Sequence, residues 1–227
     1  MKIAVLADIH ANFEALQTVA GHVERWQPDY VAVAGDVVNR GPRSPECLRF
    51  VQHKQHADGW QVVRGNHEDY VIQWDSPDAA TSGPKFEIFK LAYWTFEQLN
   101  GNVDALRAMP FQLSLPAPDG SEFRVVHASM INNRTGIFPF TTDEKLRQKI
   151  TAPNQPPPAV LAVGHTHIPL VRHIDGTLVV NAGSVGLPFD GDTRAAYAQL
   201  TWRQGRWAAK IIRLDYDRDR AEQDYVK

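Results

Sequence analysis

The chain has 227 residues, of which 43% are hydrophobic, so it can build a sizeable core in one large domain or two small ones. Its 24 basic and 26 acidic side chains give a formal charge of −2, which argues against a general nucleic-acid surface or a polybasic membrane surface. We expect a single domain over residues 1–227.

The cysteine content and the hydropathy pattern favour the cytoplasm. Cys47 is the only cysteine, so no disulfide can form within the chain, and a reducing compartment is favoured. Asp8 interrupts the N-terminal apolar run before it is long enough for a signal peptide. Since no segment reaches the roughly 18 apolar residues of a membrane span, we expect a cytoplasmic protein that does not cross a membrane.

The first third of the chain alternates short apolar runs with amphipathic segments. The predicted elements are strands at 3–7, 30–34 and 60–63, and helices at 13–26 and 44–55. This alternation implies parallel pairing with right-handed crossovers. Ligand-binding groups in such sheets collect at the carboxyl ends of the strands.

The middle of the chain is mostly helical, and the last third is mostly strands. Aromatic and aliphatic stretches at 85–99 and 103–109 predict a helical insertion near residues 70–110 that packs near the site. The other predicted strands are 112–115, 123–126, 160–163, 171–174, 178–180, 196–202 and 207–214. Two more helices are predicted, one from a capping box at 141–144 to about residue 150 and one over 217–227.

Polar side chains follow five apolar runs at the point where each predicted strand ends. They are Asp8, His10, Asp36, Asn66, His67, His127, His165 and His167. A lone Asp36 would be read as a turn or capping residue, but an unpaired carboxylate at a buried strand end is costly, and a bound cation would remove that cost. Asp8 and His10 are two residues apart and so point the same way in an extended chain, as do His165 and His167.

This set of donors predicts a metal centre. It contains only oxygen and nitrogen atoms, which suit Mn, Fe, Zn, Co or Ni ions rather than copper(I) or an iron–sulfur cluster. The ligands outnumber the needs of one ion, so two divalent ions that share Asp36 fit better, at a separation of roughly 3.5–4 Å. Two divalent ions outweigh the charge of two carboxylates, so the site would be positively charged. Such a site favours an anionic substrate and lowers the pKa of a bound water, which predicts hydrolysis of phosphate esters by a metal-activated hydroxide.

Five fragments, in this order, resemble the calcineurin-like metallophosphoesterases. They are Asp-x-His at 8–10, Gly-Asp at 35–36, Gly-Asn-His-Glu at 65–68, His-Ala at 127–128 and Gly-His-Thr-His at 164–167. The resemblance extends to about residue 188 and includes 181–186, which is similar to a loop of the small bacterial members. It implies an α/β fold, a four-layer sandwich of two mixed β-sheets flanked by helices.

The resemblance also implies a role for each residue. The first metal ion would take Asp8, His10, Asp36 and His167. The second would take Asp36, Asn66, His127 and His165. His67 would be the proton donor in catalysis.

Residues 39–42, Asn-Arg-Gly-Pro, depart from the family's pattern. They resemble the Asp-Arg-Gly segment of the protein-phosphatase and dinucleoside tetraphosphatase branches, but Asn39 replaces the aspartate that orients the catalytic histidine. The orienting partner of His67 is therefore open between Glu68 and Asn39. Arg40 is either a bidentate phosphate ligand or a solvated loop arginine.

We predict a phosphodiesterase that acts on a small phosphate ester or a nucleotide. One alternative is a phosphomonoesterase of the protein-phosphatase or dinucleoside tetraphosphatase type. Another is a non-catalytic metal-binding scaffold, like the retromer subunit of this fold, but a scaffold has no reason to keep His67. Residues 132–134 follow His127 in a loop that could reach the substrate. The oligomeric state is left open.

Overall fold

The computed structural model describes residues 1–74, 76–77 and 79–226. Asp75 and Asp78 of the predicted insertion and Lys227 of the predicted terminal helix lie outside the described residues. The strands are β1 (Lys2–Leu6), β2 (Tyr30–Val33), β3 (Gln61–Val62), β4 (Gln112–Pro116), β5 (Glu122–Val126), β6 (Val160–Val163), β7 (Leu170–Ile174), β8 (Thr177–Asn181), β9 (Ala195–Arg203) and β10 (Arg206–Leu214). The helices are α1 (Phe13–Trp26), α2 (Ser44–Asp58), α3 (Asn66–Gln73), α4 (Gly83–Gln98), α5 (Asp104–Arg107), α6 (Asp143–Ile150) and α7 (Arg218–Gln223).

The first sheet has the strand order β10-β9-β1-β2-β3. As predicted, β1, β2 and β3 run parallel, with Ile3 opposite Tyr30 at the start of the β1–β2 ladder. The other edge is the β9–β10 hairpin, which pairs antiparallel to β1. The carboxyl ends of the three parallel strands therefore lie at one edge of this sheet.

The second sheet has the order β4-β5-β6-β8-β7. Its three central strands β5, β6 and β8 are parallel, and an antiparallel strand closes each side. Both sheets are therefore mixed, as the family resemblance implies.

Side chains of β1 alternate between two cores, as expected for a strand buried on both faces. Ala4 and Leu6 pack in the outer core with residues of α1 and α2. Ile3 and Val5 pack in the core between the sheets, which also contains Phe123 of β5. A third core joins α6 to the outer face of the second sheet. The four-layer arrangement of helices, two sheets and a further helix is confirmed.

The helical segment between β3 and β4 begins earlier than predicted. Helix α3 starts at Asn66, directly after the strand, whereas the sequence indicates helix only from about residue 85. Helices α3 and α4 pack against each other, and the Thr95 hydroxyl of α4 donates to Asn39 Oδ1 at 3.2 Å. The insertion therefore packs against the loop that follows β2. At the C-terminus, α7 is shorter than the predicted terminal helix.

No helix of the described segments combines the length and the apolar character needed to cross a membrane.

Candidate active site

The strand ends bring the predicted polar residues to one edge of the sandwich. Asp8, Asp36 and Asn66 follow strands of the first sheet, and His127 and His165 follow strands of the second. All eight predicted residues have ring or side-chain contacts with other members of the set. The site is therefore assembled from both sheets.

A left-handed backbone aims several of these side chains. Asp8, His10, Asp36, His165 and His167 have φ between 48° and 69°, a region that non-glycine residues rarely adopt. Each such residue costs roughly 1–3 kcal/mol, so the surrounding contacts must hold it. The backbone N–H of His10 donates to Asp36 O at 2.9 Å, which ties the loop after β1 to the loop after β2. Asp8 and His10 thus meet through tight loops, not through the extended chain that the sequence argument assumed.

Glycine is required where these loops touch. A Cβ atom at Gly35, which has φ +83°, would lie 2.8 Å from His127 Nδ1. A Cβ atom at Gly65 would overlap the Asp36 carboxylate. The glycines that precede Asp36 and Asn66 therefore let two loops and a histidine approach one another closely.

The first cluster contains Asp8, His10, Asp36 and His167. One ligand atom of each lies within 4.8 Å of the others, and all four residues are buried. The two Nε2 atoms of His10 and His167 are 3.1 Å apart, and His167 Nε2 is 3.4 Å from Asp8 Oδ1. Asp8 Oδ1 is buried and has no hydrogen-bond partner among the described residues.

The second cluster contains Asp36, Asn66, His127 and His165. Asn66 Oδ1 lies 2.8 Å from His127 Nε2 and 2.7 Å from His165 Nδ1. Asp36 Oδ2 is 3.3 Å from His127 Nε2 and 3.6 Å from His10 Nε2 of the first cluster. The same carboxylate oxygen therefore faces both clusters.

Backbone carbonyls orient three of the histidines. His127 Nδ1 donates to Ala34 O at 2.7 Å, and His167 Nδ1 donates to Leu187 O at 2.5 Å. His165 Nε2 donates to Arg134 O at 3.0 Å. In the neutral form each ring then turns its other nitrogen, as a lone pair, toward its cluster. This arrangement is typical of metal-ligating histidines, and with the unpartnered Asp8 oxygen it fits a cation.

Charge and burial shift the pKa values strongly in both clusters. Burial lowers the pKa of His127, but the Asp36 carboxylate outweighs burial and raises this pKa to about 10. Burial lowers the pKa of His10 well below its usual value. Burial raises the pKa of Asp36, but the charges of His127 and His67 outweigh it and hold this pKa well below its usual value. Asp36 is therefore ionised, and a cation would compete with a proton for His127.

Glu68 holds the loop after β2 in place, a role that the sequence did not indicate. Its Oε1 accepts from the backbone N–H groups of Val37 and Val38, and its Oε2 accepts from those of Asp36 and Gly65. Burial and the charge of Asp36 raise the pKa of Glu68 to about 7, while its N–H partners favour the carboxylate. Glu68 therefore supports Asp36 and does not contact His67 through these bonds.

Asn39, one of the two candidate orienting groups for His67, contacts the His67 ring. Asn39 Nδ2 lies 3.0 Å from His67 Nδ1. On the other side of the ring, Arg40 Nε lies 3.1 Å from His67 Nε2. Burial and the positive charge of Arg40 lower the pKa of His67 to about 4, against the charge of Asp36. His67 is therefore neutral near pH 7.

The loop at 132–134 contacts His165 and lies near His67, since Arg134 O accepts from His165 Nε2. The guanidinium carbon of Arg134 lies 5.3 Å from the centre of the Tyr70 ring, and this ring is 5.3 Å from that of His67. The predicted contact of this loop with substrate stays a prediction.

The chain is similar in sequence and in fold to known phosphoesterases. Residues 1–205 match the model of the calcineurin-like phosphoesterase superfamily domain. The crystal structure of a hypothetical protein from Pyrococcus horikoshii has the same fold, with a TM-score of 0.80 and 22% identity over 98% of this chain and 91% of that one. A metallophosphoesterase from Sphaerobacter thermophilus is 25% identical, with a TM-score of 0.73 over 100% of this chain and 93% of that one.

A shorter stretch is similar to part of a tetraphosphatase. A symmetrical bis(5'-nucleosyl)-tetraphosphatase from Vibrio parahaemolyticus is 40% identical over 73 residues. These residues make up 32% of this chain and only 26% of that enzyme.

Proposed function

The chain belongs to the calcineurin-like phosphoesterase superfamily, and on that premise we propose that it hydrolyses small phosphate diesters with two divalent transition-metal ions. The observation that carries the proposal is the position of Asp36 Oδ2, which lies 3.6 Å from His10 Nε2 and 3.3 Å from His127 Nε2. One oxygen that faces two donor clusters is the arrangement expected of a ligand shared by two ions.

The two clusters would hold one ion each. The first ion would be held by Asp8, His10, Asp36 and His167, and the second by Asp36, Asn66, His127 and His165. The nitrogen and oxygen donors suit Mn, Fe, Zn, Co or Ni. When bound, such ions draw charge from the phosphoryl oxygens and lower the pKa of water.

His67 and Arg40 form the anion-binding side of the site. A neutral imidazole has one acceptor nitrogen, yet Asn39 Nδ2 and Arg40 Nε both approach the His67 ring as donors. Arg40 N–H and the Thr95 hydroxyl both donate to Asn39 Oδ1, which fixes the Asn39 amide with Nδ2 toward His67. Of the two donors that approach His67, the exposed side chain of Arg40 is therefore the one that can turn away from the ring.

A phosphate oxygen would resolve this conflict between donors. With Nδ1 accepting from Asn39, the proton of neutral His67 lies on Nε2, beside the Arg40 guanidinium. An anionic oxygen can accept from both groups at once, and such charge-assisted bonds are about twice as strong as neutral ones. We therefore assign Arg40 to phosphate binding and His67 to hydrogen-bond or proton donation at the leaving oxygen.

A second candidate function is hydrolysis of dinucleoside polyphosphates. It is supported by the 73-residue stretch that is 40% identical to a symmetrical bis(5'-nucleosyl)-tetraphosphatase, and by the Arg-Gly-Pro sequence at 40–42. The same clusters, His67 and Arg40 would serve either reaction, so only substrate preference separates the two functions.

Metal analysis combined with a substrate panel tests both proposals. We expect protein purified without added metal to carry up to two ions per chain and to prefer diesters over monoesters and over dinucleoside tetraphosphates. Asp36→Asn should contain fewer than two ions per chain or a variable number of them, and should lose activity. Two ions and full turnover in this variant would overturn the shared-ligand assignment, and a preference for the tetraphosphate would favour the second candidate.

A further inference from the structure

Phe189 is an exposed aromatic ring that lies flat against a histidine of the site. Its ring centre is 4.3 Å from that of His167, and the two planes are 20° apart. His167 is buried, whereas Phe189 is 55% exposed. One face of the phenyl ring thus covers the imidazole, and much of the ring remains accessible to solvent beside the first cluster.

The loop that carries Phe189 is fixed to the strand ends. Val185 N–H donates to Ala7 O at 2.9 Å, and Gly186 N–H donates to Asp8 O at 3.1 Å. The Phe189 N–H donates to His167 O at 3.3 Å, and His167 donates in turn to Leu187 O. The ring is therefore held at a defined position relative to Asp8 and His167, which reduces the entropic cost of presenting it to a ligand.

We propose that Phe189 is a stacking platform for the base of a nucleoside phosphate, an inference that rests on the proposed phosphoesterase function. Every planar base has a π face that can stack on an aromatic side chain, whichever base it is. The phosphate of the same ligand would reach the adjoining clusters. A platform next to the site would make nucleoside esters better substrates than esters of non-aromatic alcohols.

The competing explanation is that Phe189 only shields His167. Both explanations predict the observed stacking, but they differ in what removal of the ring would change. A shield supports the imidazole, so its loss would affect the metal content or the binding of every phosphate compound alike. A platform contacts the base, so its loss would affect only ligands that have one.

The chain offers a matched control in Phe140. This phenylalanine is 79% exposed and stacks on Phe138, with ring centres 5.0 Å apart. It has an exposed ring like that of Phe189 but is stacked on a phenylalanine. Replacing it therefore controls for the general effect of removing a surface aromatic group.

The test compares binding of AMP, ribose 5-phosphate and inorganic phosphate to the manganese-loaded protein by calorimetry. We expect AMP to bind more tightly than ribose 5-phosphate, and Phe189→Leu to weaken AMP about 5- to 100-fold while ribose 5-phosphate and phosphate are unchanged. Phe189→Tyr should retain AMP binding. Phe140→Leu should bind all three compounds like the wild type, and manganese content should be equal in every variant.

Each contrary result has a distinct meaning. Equal binding of AMP and ribose 5-phosphate, with phosphate still bound, would overturn the platform and leave the phosphoesterase function standing. Equal weakening of all three ligands in Phe189→Leu, or loss of manganese, would make Phe189 a support for His167 and overturn the platform. If the wild type bound none of the three and hydrolysed no ester, the proposed function and the platform would both be wrong.

Discussion

The Nδ2 atom of Asn39 lies 3.0 Å from Nδ1 of His67. Because Arg40 N–H donates to Asn39 Oδ1 at 2.8 Å, the amide cannot turn its oxygen toward the histidine without losing that bond. The histidine therefore accepts at Nδ1, and its single proton at neutral pH lies on Nε2. An aspartate at position 39 would have the opposite effect, since it would accept from Nδ1 and stabilise the doubly protonated ring.

We predict that Asn39→Asp raises the pKa of His67 from about 4 toward its ordinary value, because a carboxylate next to the ring favours the imidazolium. Histidine NMR titration measures this pKa, with His67→Asn used to assign the resonance. Asn39→Ala removes the donor without adding a charge and should raise the pKa less. An unchanged titration in the Asp variant would mean that Asn39 does not set the protonation of His67.

His67→Asn should keep its metal content, because the ring nitrogens of His67 contact Asn39 and Arg40 and not the two clusters. Its activity on alkyl or nucleoside diesters should fall by about 10²-fold or more, since donation to a poor leaving group is worth that much. Nitrophenyl esters should lose much less, because nitrophenolate leaves without a proton. Equal losses on both substrates would indicate that His67 acts on the phosphoryl group, and loss of an ion would make it a ligand.

Arg40→Ala should raise KM about 10- to 100-fold with a smaller change in kcat, because a charged contact made to both substrate and transition state is removed. Inhibition by inorganic phosphate should weaken in parallel. Arg206→Ala is a suitable control, since this exposed arginine begins β10, at the edge opposite the site. If KM and phosphate inhibition stay at wild-type values, Arg40 is a solvated loop residue.

Glu68→Gln should destabilise the protein by about 2–5 kcal/mol. The amide nitrogen would face two backbone N–H groups that now donate to the carboxylate, and each buried unsatisfied donor costs about 1–3 kcal/mol. Urea unfolding measures the loss. Glu87→Gln, at an exposed position of α4, should stay within about 0.5 kcal/mol of the wild type. Equal stability of the two variants would show that the loop after β2 does not depend on Glu68.

Metal binding should release a proton and strengthen with pH. The pKa of His127 is raised to about 10, so between its ordinary value and pH 10 the folded protein holds a proton that a cation must displace. The apparent affinity should therefore rise about tenfold per pH unit in this range for that one proton, and level off above pH 10. Calorimetry at pH 8 in two buffers of different ionisation enthalpy counts the protons. Zero release would show that His127 is not both protonated at pH 8 and a ligand.

The sequence predicted the elements well because their signals are local. The period of apolar residues in α1 and the short apolar runs of the strands reflect which faces are buried. The gathering of the polar residues at one edge of the sheet followed from the predicted parallel pairing of the strands. Helix α3 was missed at Asn66, because its start depends on Asp36 Oδ1, which accepts from His67 N–H, and on Glu68. The contact with Asp36 joins residues 31 positions apart and is not visible in a local window, whereas the contact between Gly65 and Glu68 has the local spacing of a capping box.

Dependence on distant contacts or on no periodic pattern explains why the strained backbone, the role of Glu68 in holding the loop after β2, and Phe189 were not anticipated. The positive φ of Asp8 and His10 is held by contacts between loops that are distant in sequence. A single phenylalanine in a loop has no periodic pattern to mark it. The single domain over residues 1–227, the cytoplasmic location and the roles of the site residues stay predictions.

The origin of the ligands in both sheets has a mechanical consequence. Asp8, Asp36 and Asn66 follow strands of the first sheet, and His127, His165 and His167 follow strands of the second, so ions held among them would cross-link the two sheets at one end of the sandwich. Ligands that bind only the folded state stabilise it by mass action. Chelation should then weaken the contact between the two sheets. The melting temperature should rise with the fraction of the protein that has its metal ions bound.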